Sequence, residues 1–228
     1  MSHLHFIFSF FLLSLLLSPS ITSAAESLLD TDGNPLSSSG SYYVLPVSWG
    51  AGGGLNIAAI QDHHTRCPYY SVVQSQDDRC GSNLGLPVTF TPSDLEEGQN
   101  ITLATDFSID FNIRPPHAPR FCDQPTTTWE MVSVDGPNNI GAQLGSFHHG
   151  GLTRGGGDDK QGSLFKMVKN KAYGYRLRYC PTNSSKNSPL KNVVCGDLAP
   201  VYDRRLGVRV LSLVDDSYRP FEIMFKKA

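Results

Sequence analysis

The chain has few charged residues and no strong excess of either sign. Lys and Arg number 19 and Asp and Glu 21, the formal net charge is −2, and charged residues make up only 18% of the chain. The sequence has no Lys/Arg-rich run and no basic half, so it lacks the clustered cations that a nucleic-acid surface needs. Nucleic acid is therefore excluded as an obligate partner. Hydrophobic residues make up 39% of the chain, which excludes a disordered protein and predicts an ordinary globular core.

Long apolar segments are also missing, except at the N-terminus. The run over residues 6–17 holds about a dozen apolar residues, too few to span a bilayer, and small residues follow it. This pattern predicts a secretory signal peptide over residues 1–24, with cleavage after Ala24 or Ala25. No Lys or Arg precedes the run, so a transmembrane anchor is the alternative. We expect a secreted mature chain with no membrane segment, folded as a single domain over residues 25–228.

The local motifs of common catalytic and metal sites are absent. The sequence contains no Gly-x-x-x-x-Gly-Lys-Ser/Thr phosphate loop, no Gly-x-Ser-x-Gly nucleophile turn and no Cys-x-x-Cys. Two His-His pairs, at 63–64 and 148–149, would each offer only one ligand per face of an extended chain, which favours ordinary loop histidines. We therefore expect no enzyme activity, no metal and no cofactor.

The cysteines and the sequons fit a secretory route. Five cysteines are present, and an odd number leaves one over when thiols pair in an oxidising compartment. Their spacing alone does not choose among the possible pairings. Two sequons, at Asn100 and Asn183, predict glycans on exposed loops.

Strand periodicity is frequent, whereas helical periodicity is absent outside the N-terminal run. Between residues 173 and 179, for example, tyrosines and Leu177 alternate with glycine and arginine, which predicts one buried and one solvated face. Segments with a strand signal are 42–45, 55–60, 70–74, 88–90, 109–113, 129–134, 164–168, 173–179, 206–214 and 221–225. Turn clusters rich in Gly and Pro separate them, so the sequence predicts an all-β barrel or sandwich with long loops.

Several longer motifs together resemble one known family. They are Leu29-Asp30-Thr31-Asp32-Gly33-Asn34-Pro35-Leu36, Gly40-Ser41-Tyr42-Tyr43-Val44-Leu45-Pro46, Cys67-Pro68-Tyr69-Tyr70, Gly85-Leu86-Pro87-Val88, Thr128-Trp129, Tyr179-Cys180-Pro181 and Cys195-Gly196-Asp197. In order and spacing they resemble the Kunitz-type plant protease inhibitors, the family of soybean trypsin inhibitor and miraculin. The resemblance extends along the whole mature chain. It implies a β-trefoil, a pseudo-threefold barrel with a hairpin cap.

The resemblance also implies a disulfide pairing and a functional loop. It pairs the cysteines as Cys67–Cys122 and Cys180–Cys195 and leaves Cys80 without a partner. The family's inhibitors insert a rigid, substrate-like loop into the active site of a protease. The implied loop residues are Pro87, Val88, Thr89, Phe90 and Thr91. In this alignment Thr89 fills the specificity pocket of the protease, while an ungapped alignment assigns that role to Thr91.

Two features of the sequence argue against strong inhibition of trypsin. Neither threonine supplies the cation that the buried carboxylate of trypsin requires. Ser38 stands where many inhibitors have an Asn that braces the loop, and its shorter side chain reaches fewer backbone groups. The resemblance implies a secreted or vacuolar plant-defence protein that inhibits a serine or cysteine protease as a monomer. Two alternatives stay open: a non-inhibitory storage or stress protein, and a module that binds an amylase, a carbohydrate or a small ligand.

Overall fold

The computed structural model describes residues 25–48, 50–61, 66–76, 83–93, 98–103, 105–114, 116–133, 140–147, 164–170, 173–180 and 195–228. The predicted signal peptide, both His-His pairs, Cys80 and Asn183 lie outside these ranges. Within them, no helix has the length and apolar composition that a membrane crossing requires.

The described part of the chain is all-β, with twelve strands and no helix. In chain order the strands are β1 (Tyr42–Pro46), β2 (Leu55–Gln61), β3 (Pro68–Gln74), β4 (Val88–Pro92), β5 (Phe107–Phe111), β6 (Gln124–Ser133), β7 (Ile140–Phe147), β8 (Phe165–Lys169), β9 (Tyr175–Tyr179), β10 (Gly196–Asp203), β11 (Val208–Val214) and β12 (Glu222–Lys227). Every pairing between them is antiparallel.

The pairing divides the strands into a barrel and a cap. Strands β5, β4, β1, β12, β9 and β8 follow one another, and a β5–β8 pair closes them into a ring. The other strands form the hairpins β2–β3, β6–β7 and β10–β11, and one strand of each hairpin pairs with the other two at the centre of the cap. A closed barrel capped by three hairpins is the β-trefoil expected from the sequence.

Aromatic side chains fill the barrel because alternate strand residues face inward. In β5 the buried residues are Phe107, Ile109 and Phe111, each no more than 1% exposed. The ring of Phe90 in β4 meets Phe107 edge-on at a centroid distance of 5.3 Å and Phe225 in β12 at 5.5 Å. These edge-to-face contacts connect β4 with β5 and with β12 inside the barrel.

Each segment with a strand signal corresponds to one of the twelve strands, but β7 and β10 have no counterpart among the predicted segments. Strand β7 contains Gly141, Ala142 and Gly145, and β10 contains Gly196, Asp197 and Pro200. These residue types are depleted in strands, so their sequences lack a strand signal. Tertiary pairing places them in the cap hairpins nonetheless.

Two disulfides join the connections between strands. Cys67, just before β3, bonds to Cys122, just before β6, and Cys180, just after β9, bonds to Cys195, just before β10. This is the pairing that the family resemblance implies. On the chain-entropy model, the longer loop, closed over a sequence separation of 55 residues, stabilises the fold by ~4 kcal/mol.

Candidate functional site

The residues predicted to form the exposed loop lie mostly in a barrel strand, which corrects that prediction. Val88, Thr89, Phe90 and Thr91 belong to β4 and pair in register with β5, from Val88 opposite Phe111 to Pro92 opposite Phe107. Val88 is 0% exposed and Phe90 is 1% exposed. The peptide bond after Thr89 lies within the β4–β5 ladder, where Thr89 pairs with Asp110 and Phe90 pairs with Ile109.

The exposed chain begins at the end of β4 instead. Thr91, Ser93, Gly98, Gln99 and Asn100 are exposed. We call residues 93–99 the β4–β5 loop; residues 94–97 lie outside the described ranges. The exposed residues nearest to the predicted loop therefore lie a few positions further toward the C-terminus.

Hydrogen bonds hold both ends of the β4–β5 loop. At its start, the Ser93 backbone N–H donates to the Asp106 carbonyl oxygen at 2.8 Å. The Asp106 carboxylate in turn forms an ion pair with Lys166 in β8 at 3.2 Å. The start of the loop is thus tied to the barrel wall across two neighbouring strands.

At the other end, the loop is tied to the N-terminal segment through Ser38. Its hydroxyl accepts a hydrogen bond from the Gly98 N–H at 2.8 Å, and its own N–H donates to the Gln99 carbonyl oxygen at 3.0 Å. The Ser37 hydroxyl also donates to the Gly98 carbonyl oxygen at 3.3 Å. The sequence analysis expects Ser38 to reach fewer backbone groups than an asparagine, and its hydroxyl bonds to one backbone group of the loop, the Gly98 N–H at the returning end.

A buried core residue anchors that returning end. Ile101 is 0% exposed, its N–H donates to the Leu36 carbonyl oxygen, and its carbonyl accepts from the Leu28 N–H. Leu28 and Leu36 are themselves fully buried. The segment that braces the loop is therefore fixed to the core beneath it, so the loop ends are held on a rigid base.

The charge of the loop is negative. Asp94, Glu96 and Glu97 lie within it, and no Lys or Arg occurs anywhere between Arg79 and Arg114. The loop thus contains no side chain that could pair with a carboxylate at the bottom of a specificity pocket.

The sequence and the fold of this chain match one family along nearly its whole length. The family model described as trypsin and protease inhibitor, Kunitz legume type, matches residues 28–227. The chain belongs to the Kunitz family of protease inhibitors. Members of this family are protease inhibitors and not enzymes.

Individual Kunitz relatives have different described functions. Kunitz trypsin inhibitor 4 of Arabidopsis thaliana is 32% identical over 224 residues, which are 96% of this chain and 90% of the relative. Miraculin of Synsepalum dulcificum is 30% identical over 228 residues, 96% of this chain and 94% of miraculin. Among solved structures, the rice bifunctional α-amylase/subtilisin inhibitor is 28% identical with a TM-score of 0.58, covering 90% of this chain and 100% of that chain.

The sequence of this Kunitz protein also contains a signal against an exposed loop at residues 88–91. Val88 and Phe90 alternate with Thr89 and Thr91, which is the pattern of a strand with one buried face. The structure places Val88 and Phe90 in the core, as that pattern predicts.

Proposed function

We propose that this Kunitz protein is a secreted or vacuolar inhibitor of a serine protease other than trypsin, and that its β4–β5 loop enters the active site of the protease. The observation that supports the loop assignment is the tethering of both ends of the loop, by Ser93 to Asp106 and by Ser38 to Gly98. Fixed ends reduce the conformational entropy that a loop loses on binding, which favours a tight complex. The family relation supports the inhibitory activity itself.

The composition of the loop supports a target with an apolar specificity pocket. Leu95 is the single large apolar residue in the segment 93–99, and the segment has no cation. We assign Leu95 the role of filling the pocket, as in substrates of chymotrypsin-like and subtilisin-like proteases. Trypsin disfavours this loop because its buried carboxylate would be left unpaired.

A glycan at Asn100 would lie beside the proposed contact surface. Asn100 is exposed and directly follows the loop, while the next residue, Ile101, is buried. A glycan here would therefore project into solvent next to the bound protease and restrict which proteases can approach. Enzymatic removal of N-glycans from the natively produced protein is expected to increase its electrophoretic mobility and to strengthen inhibition of large proteases.

The proposal is tested by titrating the purified protein against trypsin, chymotrypsin, subtilisin and a papain-like protease. We expect inhibition of chymotrypsin or subtilisin and little inhibition of trypsin. Leu95→Arg should transfer the inhibition to trypsin, because its guanidinium can pair with the pocket carboxylate. Thr89→Arg is the matched control, since it adds the same cation within β4 and should not create a trypsin inhibitor.

Two outcomes would overturn the proposal. Failure of the folded protein to inhibit any protease in the panel would favour a non-inhibitory role, such as that of a storage protein. Trypsin inhibition by Thr89→Arg but not by Leu95→Arg would show that the residues around Thr89, and not those around Leu95, contact the protease.

An α-amylase assay belongs in the panel because the rice relative is described as bifunctional toward amylase and subtilisin.

A further inference from the structure

A cleft lies on a part of the molecule that shares no residue with the β4–β5 loop. It has a volume of about 270 Å³ and opens between the β1–β2 connection, strand β10 and the β11–β12 connection. Its lining combines apolar side chains with two arginines and one carboxylate, that of Glu222. We call it the arginine cleft, after Arg209 in β11 and Arg219 in the β11–β12 connection.

The base of the arginine cleft is a buried amide. Gln74 at the end of β3 is 3% exposed, and its side-chain NH₂ group donates to the carbonyl oxygens of Ala51 at 2.8 Å and Gly53 at 3.2 Å. Gly52 has a φ of +102°, and a Cβ there would lie 2.9 Å from the Gln74 amide. The turn is therefore built around this glutamine, and the wall that it forms is rigid.

Arg209 extends along this base without a counter-charge. It is half-buried, and one guanidinium nitrogen, Nη1, donates to the Ala51 carbonyl oxygen at 3.2 Å and lies 3.4 Å from Gln74 Oε1. No carboxylate among the described residues forms an ion pair with it. A guanidinium has five N–H donors, and the hydrogen bonds of Arg209 to described residues involve only Nη1. A partly desolvated cation in this position favours an anion as its partner.

The charged side chains of the arginine cleft give it a net positive charge. Arg219 is exposed, and its guanidinium lies 3.8 Å from the Glu222 carboxylate, which offsets its charge. Arg209 therefore supplies the excess positive charge of the lining. The other walls include Pro46, Pro200, Tyr218 and Phe221, which present apolar surface.

We propose that the arginine cleft binds a small aromatic carboxylate, with the carboxylate paired to Arg209 and the ring against the apolar walls. The volume is near the lower end of the range of small-molecule sites, which suits a ligand of one or two rings. The planar fork of arginine matches a carboxylate through two parallel hydrogen bonds. This inference does not depend on the proposed inhibitory loop.

The experiment is an NMR titration of the full disulfide-bonded protein with naphthalene-1-carboxylate and, separately, with the neutral naphthalene-1-carboxamide. We expect the carboxylate to bind about tenfold more tightly than the amide, as loss of one charge-assisted pair predicts. The largest amide shifts should fall at Gly50, Ala51 and Tyr218, which line the cleft. Equal binding of the two ligands, no binding, or shifts confined to other surfaces would overturn the proposal.

Matched variants test the role of Arg209. Arg209→Gln should weaken carboxylate binding about tenfold and leave amide binding unchanged. Arg204→Gln removes the same charge from an exposed residue outside the cleft and should change the affinity less than about twofold, because distant exposed charges are screened. Equal losses in the two variants would show a non-specific charge effect and refute the assignment. If Arg209→Gln does not fold, Arg209→Lys keeps the cation but loses the fork, and should weaken binding to an intermediate degree.

Discussion

Replacing Phe90 with alanine is expected to destabilise the whole fold, although the position was first assigned to an exposed loop. Phe90 is 1% exposed and packs edge-on against Phe107 and Phe225. Its ring therefore connects β4 with β5 and with β12 inside the barrel. Alanine would leave a cavity that these large neighbouring rings cannot fill by small movements.

The size of the effect follows from the burial and the ring contacts. Truncation of a buried phenylalanine costs ~3–5 kcal/mol, a range that already includes the lost ring contacts. We take the middle of this range, ~4 kcal/mol. That value is a large share of the ~5–15 kcal/mol that holds an ordinary domain folded.

The measurement is equilibrium unfolding in urea, followed by circular dichroism and by fluorescence. Phe90→Ala should lower the midpoint strongly while the slope stays unchanged. Thr91→Ala is the control in the adjacent position: Thr91 is exposed, so its stability should stay within ~0.5 kcal/mol of the parent. A loss below ~1 kcal/mol for Phe90→Ala, or equal losses in both variants, would refute the placement of residue 90 in the barrel.

Three further predictions follow from the described contacts. Ser38→Ala removes the acceptor of the Gly98 N–H, so it should weaken protease inhibition about fivefold and speed proteolytic cleavage of the β4–β5 loop. The urea midpoint should stay unchanged. Inhibition and cleavage rates equal to those of the parent would show that this hydrogen bond does not brace the loop. Replacing Cys67 and Cys122 with serine should lower the free energy of unfolding, measured in urea, by ~4 kcal/mol. Replacing Cys180 and Cys195 should cost less, because that disulfide closes a shorter loop. The reverse order would contradict the loop-entropy explanation. Burial raises the pKa of Tyr179 above its ordinary value of 10.0, so stability falls as the pH rises from that value through the folded pKa. Tyr179→Phe should make the fall of the urea midpoint above pH 10.0 less steep, and a decline as steep as that of the parent would exclude this cause.

Local patterns in the sequence identified the class of the fold and much of its organisation. Alternation of apolar and polar residues predicted the strands that now form β5, β9, β11 and β12, because a period of two residues depends only on which face is buried. The motifs around the four paired cysteines implied the disulfides through the family resemblance. The sequence also shows that the loop itself contains no Lys or Arg, which bears directly on the choice of protease.

Features that depend on partners distant in the chain were decided by the tertiary structure. Strand β10 forms despite Pro200 because β11 pairs with it along nearly its whole length, whereas its pairing with β9 is confined to Gly196 and Asp197. Proline is tolerated where one side of a strand has no pairing partner. The end of β4 is set by its pairing with β5, which continues as far as Pro92 opposite Phe107 and so moves the exposed loop to residue 93 and beyond. Gln74 and Arg209 are 135 residues apart in sequence and meet only because β3 pairs with β11. A local sequence pattern does not show which distant residues become neighbours. The burial and the charge surroundings of a side chain depend on which strands pair beside it in the barrel and the cap.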